Sequence, residues 1–257
     1  MSTFSAVPQT DAVAPPFSVV LRAALLGAAA AGLVGALLSW LLVEIPIRSA
    51  LAIEGGRAPE PHAEHPHSEE MFSRSTQVIG GMLAVVLVAL VLGVVFAVVF
   101  ARLRHLLPGR TDFGRAVALA TAGFVVVSLL PGIKYPANPP AVGDPDTVDT
   151  RTLYYLSFLA AAIIVTLVVL AIRQRLPARW PASWVATVSA VLVIVGYALL
   201  VGAWPTGPDD IPADVPAALI WQFRLSSLAE LAALWVTLGI GTGLVLERRA
   251  AAGELPG

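Results

Sequence analysis

Six stretches of this chain are apolar over 17 or more residues, which is the length an α-helix needs to cross the roughly 30 Å hydrocarbon core of a bilayer. They run over about 19–43, 76–101, 115–131, 152–172, 184–204 and 217–246. Lipid offers no partner to a backbone amide or carbonyl, so each stretch must satisfy these groups internally, as a helix does. The expected fold class is therefore an all-α integral membrane protein, a bundle of about six transmembrane helices. Charged residues make up only 13% of the chain, about half the share of a soluble domain, which excludes a soluble enzyme, a disordered chain and a secreted disulfide scaffold.

The first run is too long for a signal peptide: its apolar core covers about 25 residues against 7–15 for a secretory segment, and no A-x-A-like site follows. It is expected to stay as an uncleaved helix. Residues 1–16 hold three prolines and no apolar period, and are expected to be a disordered tail. Residues 17–247 then form a single transmembrane domain, and 248–257 a short C-terminal tail.

Charge fixes the orientation. The segments on one side of the spans hold ten cations (Arg22, Arg102, Arg104, Arg110, Arg115, Arg173, Arg175, Arg179, Arg248, Arg249) against four acids, and those on the other side five cations against twelve acids. The positive-inside rule places both termini in the cytoplasm. The acid excess outside admits two readings: it is merely tolerated by the topology, or it concentrates cations at the mouth of a pathway.

The same residues exclude several chemistries. Net charge is −1, so there is no basic footprint for nucleic acid. The only lysine, Lys134, is followed by Tyr135 and cannot complete a P-loop, so any ATP coupling comes from a partner. With no cysteine, thiolate metal sites and disulfides are ruled out. No nucleophile and base stand out as a pair, and the chain does not read as an enzyme.

Metal chemistry is concentrated in the first outer loop, residues 44–75, where three of the four histidines fall within six residues. His62, Glu64, His65 and His67 supply neutral imidazoles and a carboxylate, the ligand set of divalent Co, Ni, Zn or Cu. The spacing matches no defined structural zinc motif, and a solvated loop that binds metal incidentally is the competing reading. Affinity rises from Co to Ni to Cu, so this loop cannot select cobalt unaided.

The second outer segment, from Pro131 to Asp144, carries four prolines within ten residues, which forbids a continuing helix and frees carbonyls. The span before it is short, so the chain either dips back toward the membrane, as is tolerated where it lines a cavity, or forms a rigid surface turn. Its polar residues Lys134, Tyr135 and Asn138 are candidates to line an ion path.

The string KYPANPPAVGD at Lys134–Asp144, followed by Arg151 and Thr152, resembles a motif of the CbtA family, proposed cobalt transporter subunits of bacteria. So do Val43-Glu44-Ile45-Pro46, the His and acid stretch, Phe72-Ser73-Arg74-Ser75-Thr76-Gln77, and Trp221-Gln222-Phe223-Arg224-Leu225. The likeness spans about residues 19–246. It implies passage of cobalt across the plasma membrane in the service of cobalamin synthesis, beside a small one-helix, histidine-bearing CbtB-type partner. The metal is then substrate, with no permanently bound cofactor. The family's His stretch alternates His with acids more tightly than this one, which Ala63 and Pro66 space out.

The last run alone has an ionisable group near its centre, Glu230. An acid there costs about 2.5–3.5 kcal/mol on insertion scales, so it must face the bundle interior or water. Gln222, Ser226, Glu230, Thr237 and Gly241 share one helical face at these spacings, and Gln222, Ser226 and Glu230 are further path candidates. The alternative is a Glu230 kept neutral by burial that merely hydrogen-bonds to another helix. Arg224 lies about 120° around the helix from Glu230 and is expected to snorkel outward beside Trp221.

Two small-residue faces, Gly27/Ala31/Gly35 and Gly239/Gly243, mark close helix contacts, either within the chain or between copies in a homo-oligomer. The sum of these readings is a multi-pass plasma-membrane transporter that moves a divalent metal, cobalt by resemblance, inward. A 100 mV potential favours a divalent cation by about 4.6 kcal/mol, so no ATP is required for uptake. The alternative is a membrane protein that binds metal and presents it to a separate permease.

Overall fold

The computed structural model describes residues 14–56, 73–140, 142–143, 145–208 and 211–252. The N-terminal tail expected over 1–16 therefore lies outside the described residues as far as 13, and the loop residues 57–72 lie outside them too.

Every regular element among the described residues is helical. The first span joins α1 (Phe17–Leu38), a π-helical segment Ser39–Val43 and α2 (Glu44–Gly55). The second is α3 (Arg74–Leu103), continued by one 3-10 turn to Leu106. The third joins α4 (Asp112–Gly123), a π-helical segment Phe124–Leu129 and α5 (Leu130–Lys134). The fourth, fifth and sixth are α6 (Val148–Arg175), α7 (Ala182–Ala203) and α8 (Ala217–Ala251). Six helices are thus long and apolar enough to cross a membrane, and the chain is a multi-pass membrane protein. Three boundaries differ from expectation. The first span continues as α2 to Gly55, which makes 12 residues of the expected outer loop 44–75 helical. Lys134 closes a helix rather than lying in a loop, because the third span runs on through Pro131 directly after the π-helical segment, where the hydrogen-bond register already shifts. The helix α8 also runs four residues into the expected C-terminal tail.

The ends follow from local chemistry. Ser73 caps α3 by accepting from Thr76 N at 3.4 Å, and Thr111 caps α4 by accepting from Gly114 N at 3.2 Å. Pro16, Pro181 and Pro216 stand immediately before α1, α7 and α8. At the arginine-rich end, which the charge pattern assigns to the cytoplasm and which is called inner below, Arg104 grips Asp112 through Nε at 2.6 Å and Nη2 at 3.1 Å. That fork ties the second span to the third.

Inside the bilayer, burial of apolar surface drives nothing, so the helices are held by how closely they approach. Here α8 occupies the centre, packed against α1 on one side and α4 on the other, while α3 packs on the far side of α1. A Cβ on Gly27 would stand 2.8 Å from Thr242 N, one on Gly239 2.5 Å from the Ala120 Cβ, and one on Gly93 2.5 Å from the Ala28 Cβ. Both small-residue faces are therefore consumed by packing within the chain. The pair α6 and α7 stands apart: it joins the other spans mainly through the Phe124–Leu129 segment and α5, around Val126, Leu130, Phe158 and Tyr197.

Candidate functional site

The face of α3 toward α1 holds Gly93 and Ala89 and then, going outward, the half-buried Val85, Met82 and Val78. Gly93 stands against Ala24 and Ala28, and Val85 against Gly35. Gly80 and Gly81 are exposed on the rest of the helix surface, where a Cβ would meet nothing within 4 Å. The outer half of α3 is less deeply buried than the inner half, with no buried residue before Ala89, and it keeps contact with the Ser39–Val43 segment of the first span.

Gly35 is a floor for two neighbours at once. A Cβ there would be 3.0 Å from Val85 Cγ1 and 3.5 Å from Leu234 Cδ1 of α8. One helical turn outward, about 5.4 Å, brings the chain from Gly35 to Ser39 and from Leu234 to Glu230. These two positions share one level above the floor. Ser39 and Glu230 are half-buried, and among the described residues no hydrogen bond or ion pair reaches either side chain. The π-helical segment begins at Ser39; such segments insert an extra residue in the turn and recur at functional sites. A second one, Phe124–Leu129, flanks α8 from the third span, and its Ser128 accepts a buried hydrogen bond from Trp235 Nε1 at 3.0 Å. Inward of the floor, Thr242 is fully buried and its hydroxyl has no partner.

A cluster of charge joins the outer ends of the first and second spans. Glu44, only 7% exposed, accepts Arg74 Nη2 on both carboxylate oxygens at 2.9 and 2.8 Å and Arg48 Nε at 2.9 Å. Arg74 Nη1 also donates to Gln77 Oε1 at 3.0 Å. This is the link by which the outer end of the second span is fastened to the first.

Of the other path candidates, Gln222 is exposed near the outer end of α8 and Ser226 is half-buried one turn outward of Glu230. Thr237 and Gly241 are half-buried on the same face, with Gly241 closed against Gly27. The proline segment supplies a different arrangement. Lys134 Nζ donates to Val201 O at 2.9 Å and Tyr135 OH to Pro205 O at 2.6 Å. Asn138 Oδ1 accepts from Arg224 Nη2 at 2.8 Å, and Arg224 Nε donates to Ala137 O at 3.2 Å. Arg224 also stands 6.0 Å from the Trp221 ring, as expected of a snorkelling side chain. Burial, and secondarily the Tyr154 phenol, hold the Tyr135 phenol above its usual range, so it remains a neutral donor. Pro139 is fully buried, and Val142 packs with Ala50, Val215 and Leu219. The segment is thus folded onto the outer ends of α2, α7 and α8 as a buttress. Beside it opens a cavity of about 370 Å³ lined by Tyr135, Asn138, Arg151, Tyr155 and Gly207.

His62, Glu64, His65 and His67 lie outside the described residues. Among the described residues no three His, Asp or Glu side chains gather as a ligand set. Ser39 and the Glu44–Arg74 pair escaped the sequence reading. The signal available for the second was an acid four residues before an arginine, Glu44 and Arg48.

The sequence model of the CbtA family, described as a probable cobalt transporter subunit, matches residues 17–247. No curated protein and no solved structure matches the chain.

Proposed function

We propose that this chain, which belongs to the CbtA family of probable cobalt transporter subunits, passes a divalent transition metal inward past Ser39 and Glu230. The observation that carries this reading is Glu230 itself: a carboxylate near mid-span, half-buried and without a protein partner among the described residues. An unpaired acid at that depth is costly and is retained where it meets water or an ion.

One carboxylate and one hydroxyl make a weak site, completed by the ion's own waters. Weakness suits transport, since conduction requires that an ion leave as readily as it enters. Stronger capture falls to His62, Glu64, His65 and His67, whose imidazoles suit Co²⁺. The family description supports cobalt as substrate and a partner subunit of the CbtB type, and cobalamin synthesis is the use to which we assign the metal. Gln222 and Ser226 extend the path outward along α8, while Lys134, Tyr135 and Asn138 keep its outer wall in place. The membrane is the bacterial plasma membrane.

Reconstitution of the purified chain in phospholipid vesicles with an inside-negative potential tests the reading. Co²⁺ should accumulate inside, and Glu230→Gln should abolish this while leaving the thermal melt unchanged. Tight Co²⁺ binding without uptake by the wild-type chain would instead assign it to metal presentation for a separate permease.

A further inference from the structure

Charge is distributed unevenly within the inner face itself. The inner segments 102–115 and 173–181 carry seven arginines and a single acid, Asp112, whereas those flanking α1 and α8, at 1–22 and 247–257, carry three cations against three acids. The positive-inside rule asks for cations on this face; it does not ask that one side of the face be neutral and the other strongly basic. Asp112 is already taken by Arg104 and Arg115. Arg102, Arg110, Arg173, Arg175 and Arg179 remain, all of them exposed.

The basic side is also the loosely packed side. The neutral side lies at the inner ends of α1 and α8, which pack closely along their lengths. The pair α6 and α7 joins the other spans mainly through Phe124–Leu129 and α5. At the inner end of that pair, among the described residues, one hydrogen bond ties it to the rest: Arg173 Nη1 donates to Leu106 O at 3.4 Å, long for such a bond. This contact brings the two arginine-rich loops together, although 67 residues separate its partners. Along α6, the exposed Ile164, Leu167 and Val168 form an apolar stripe that ends inward at Arg175. Trp180 and Trp184, both exposed, stand beside it where α7 begins, as aromatic residues do at headgroup level.

We propose that these two loops form a headgroup site for an anionic phospholipid of the inner leaflet. Its phosphate pairs with Arg110, Arg175 and Arg179, and an acyl chain lies along the stripe from Leu167 to Ile164. Guanidinium groups match phosphate oxygens in charge and in fork geometry, and basic sites between spans on the cytoplasmic side take such headgroups. The apolar stripe leading to Arg175 is what selects a lipid over a soluble anion. Bound there, the lipid bridges the loops and holds α6 and α7 to the second and third spans where protein packing is thin. The site is independent of the path past Glu230.

The full chain in an uncharged detergent tests this by titration with phosphatidylglycerol or with phosphatidylcholine of the same acyl chains. Phosphatidylglycerol should raise the melting temperature by about 5 °C, and phosphatidylcholine should not. The shift should shrink in about 0.5 M NaCl, as expected of exposed charges. In R175Q/R179Q it should fall by at least half, while R175K/R179K, which keeps the charge, should retain most of it. R22Q/R248Q removes the same charge from the neutral side and should behave as wild type. Native mass spectrometry counts retained phosphatidylglycerol on the folded fraction, so a low yield of R175Q/R179Q does not blunt the comparison. An equal shift from phosphatidylcholine would overturn the site, and so would an equal loss in R22Q/R248Q, which would reduce the effect to general surface charge. The same shift from glycerol 3-phosphate would show a soluble-anion site and overturn the lipid assignment.

Discussion

The six-membered ring of the Trp235 indole, in the sixth span, lies against Gly123 of the third, and its N–H is donated to Ser128 Oγ at 3.0 Å. Both partners are buried, and the bond joins the central helix to the π-helical segment at mid-membrane. Ser128→Ala would strand the indole N–H, at a cost of about 1–3 kcal/mol. Gly123→Ala would drive a methyl group into the ring and should cost about as much through overpacking. Gly80→Ala, where nothing stands within 4 Å, should fall within about 0.5 kcal/mol of wild type. Melting temperatures in detergent, monitored by Trp fluorescence and circular dichroism, rank the three; an equally large loss for G80A would contradict its exposed position.

The two ends of α3 should differ in their tolerance of bulk. Gly81→Leu adds a side chain on an exposed surface where a Cβ meets nothing, so both the melt and Co²⁺ uptake should stay near wild type. The same change at Gly93, packed against Ala28, should instead reduce the yield of folded protein, which size-exclusion chromatography in detergent would measure. Equal yields of G81L and G93L would contradict the close contact at Gly93.

Capture by the outer loop should fail in acid. Imidazole binds metal only when neutral, and its free pKa is near 6.5. Ligation is therefore favoured above that value and lost as pH falls through it, so Co²⁺ binding should weaken steeply below about pH 6. Calorimetry on the full chain should show this, and H62A/H65A/H67A should lose the pH-dependent component. A triple variant that takes up limiting Co²⁺ as well as wild type would remove the loop from the pathway.

Topology can be checked with the same cysteine-free background. Single cysteines at 60, 145 and 210 should react with an impermeant maleimide on intact cells, and cysteines at 107 and 178 only after the membrane is opened. Reaction at 107 but not at 145 would invert the bundle and with it the direction assigned to the path.

The spans were readable because run length is a property of composition, and because the ten inner cations leave little doubt about which ends are alike. Glu230 was readable for a related reason, since a charge near the centre of an apolar run has few bland explanations. Lys134, Tyr135 and Asn138 were harder: prolines and polar residues in a loop look the same whether they line a path or hold the loop down, and only their bonds to Val201, Pro205 and Arg224 show the buttress. Ser39 was not readable at all. Its place comes from where the first and sixth spans meet, and a π-helical turn alters the hydrogen-bond register without changing residue type. Glu44 and Arg74 are 30 residues apart, too far for any local pattern to pair them.

The helix at the centre of the bundle follows the other five described spans out of the ribosome. Before α8 inserts between α1 and α4, the first and second spans can already pack together through Gly93 and Gly35, and the third can pack with α6 and α7, but Gly27 and Gly123 have their grooves unfilled. A nascent chain of this protein therefore waits in the membrane as two subassemblies, which join once translation has delivered residues 217–251. A stop codon before α8 should consequently leave two halves with nothing to hold them in register, a substrate for membrane proteases.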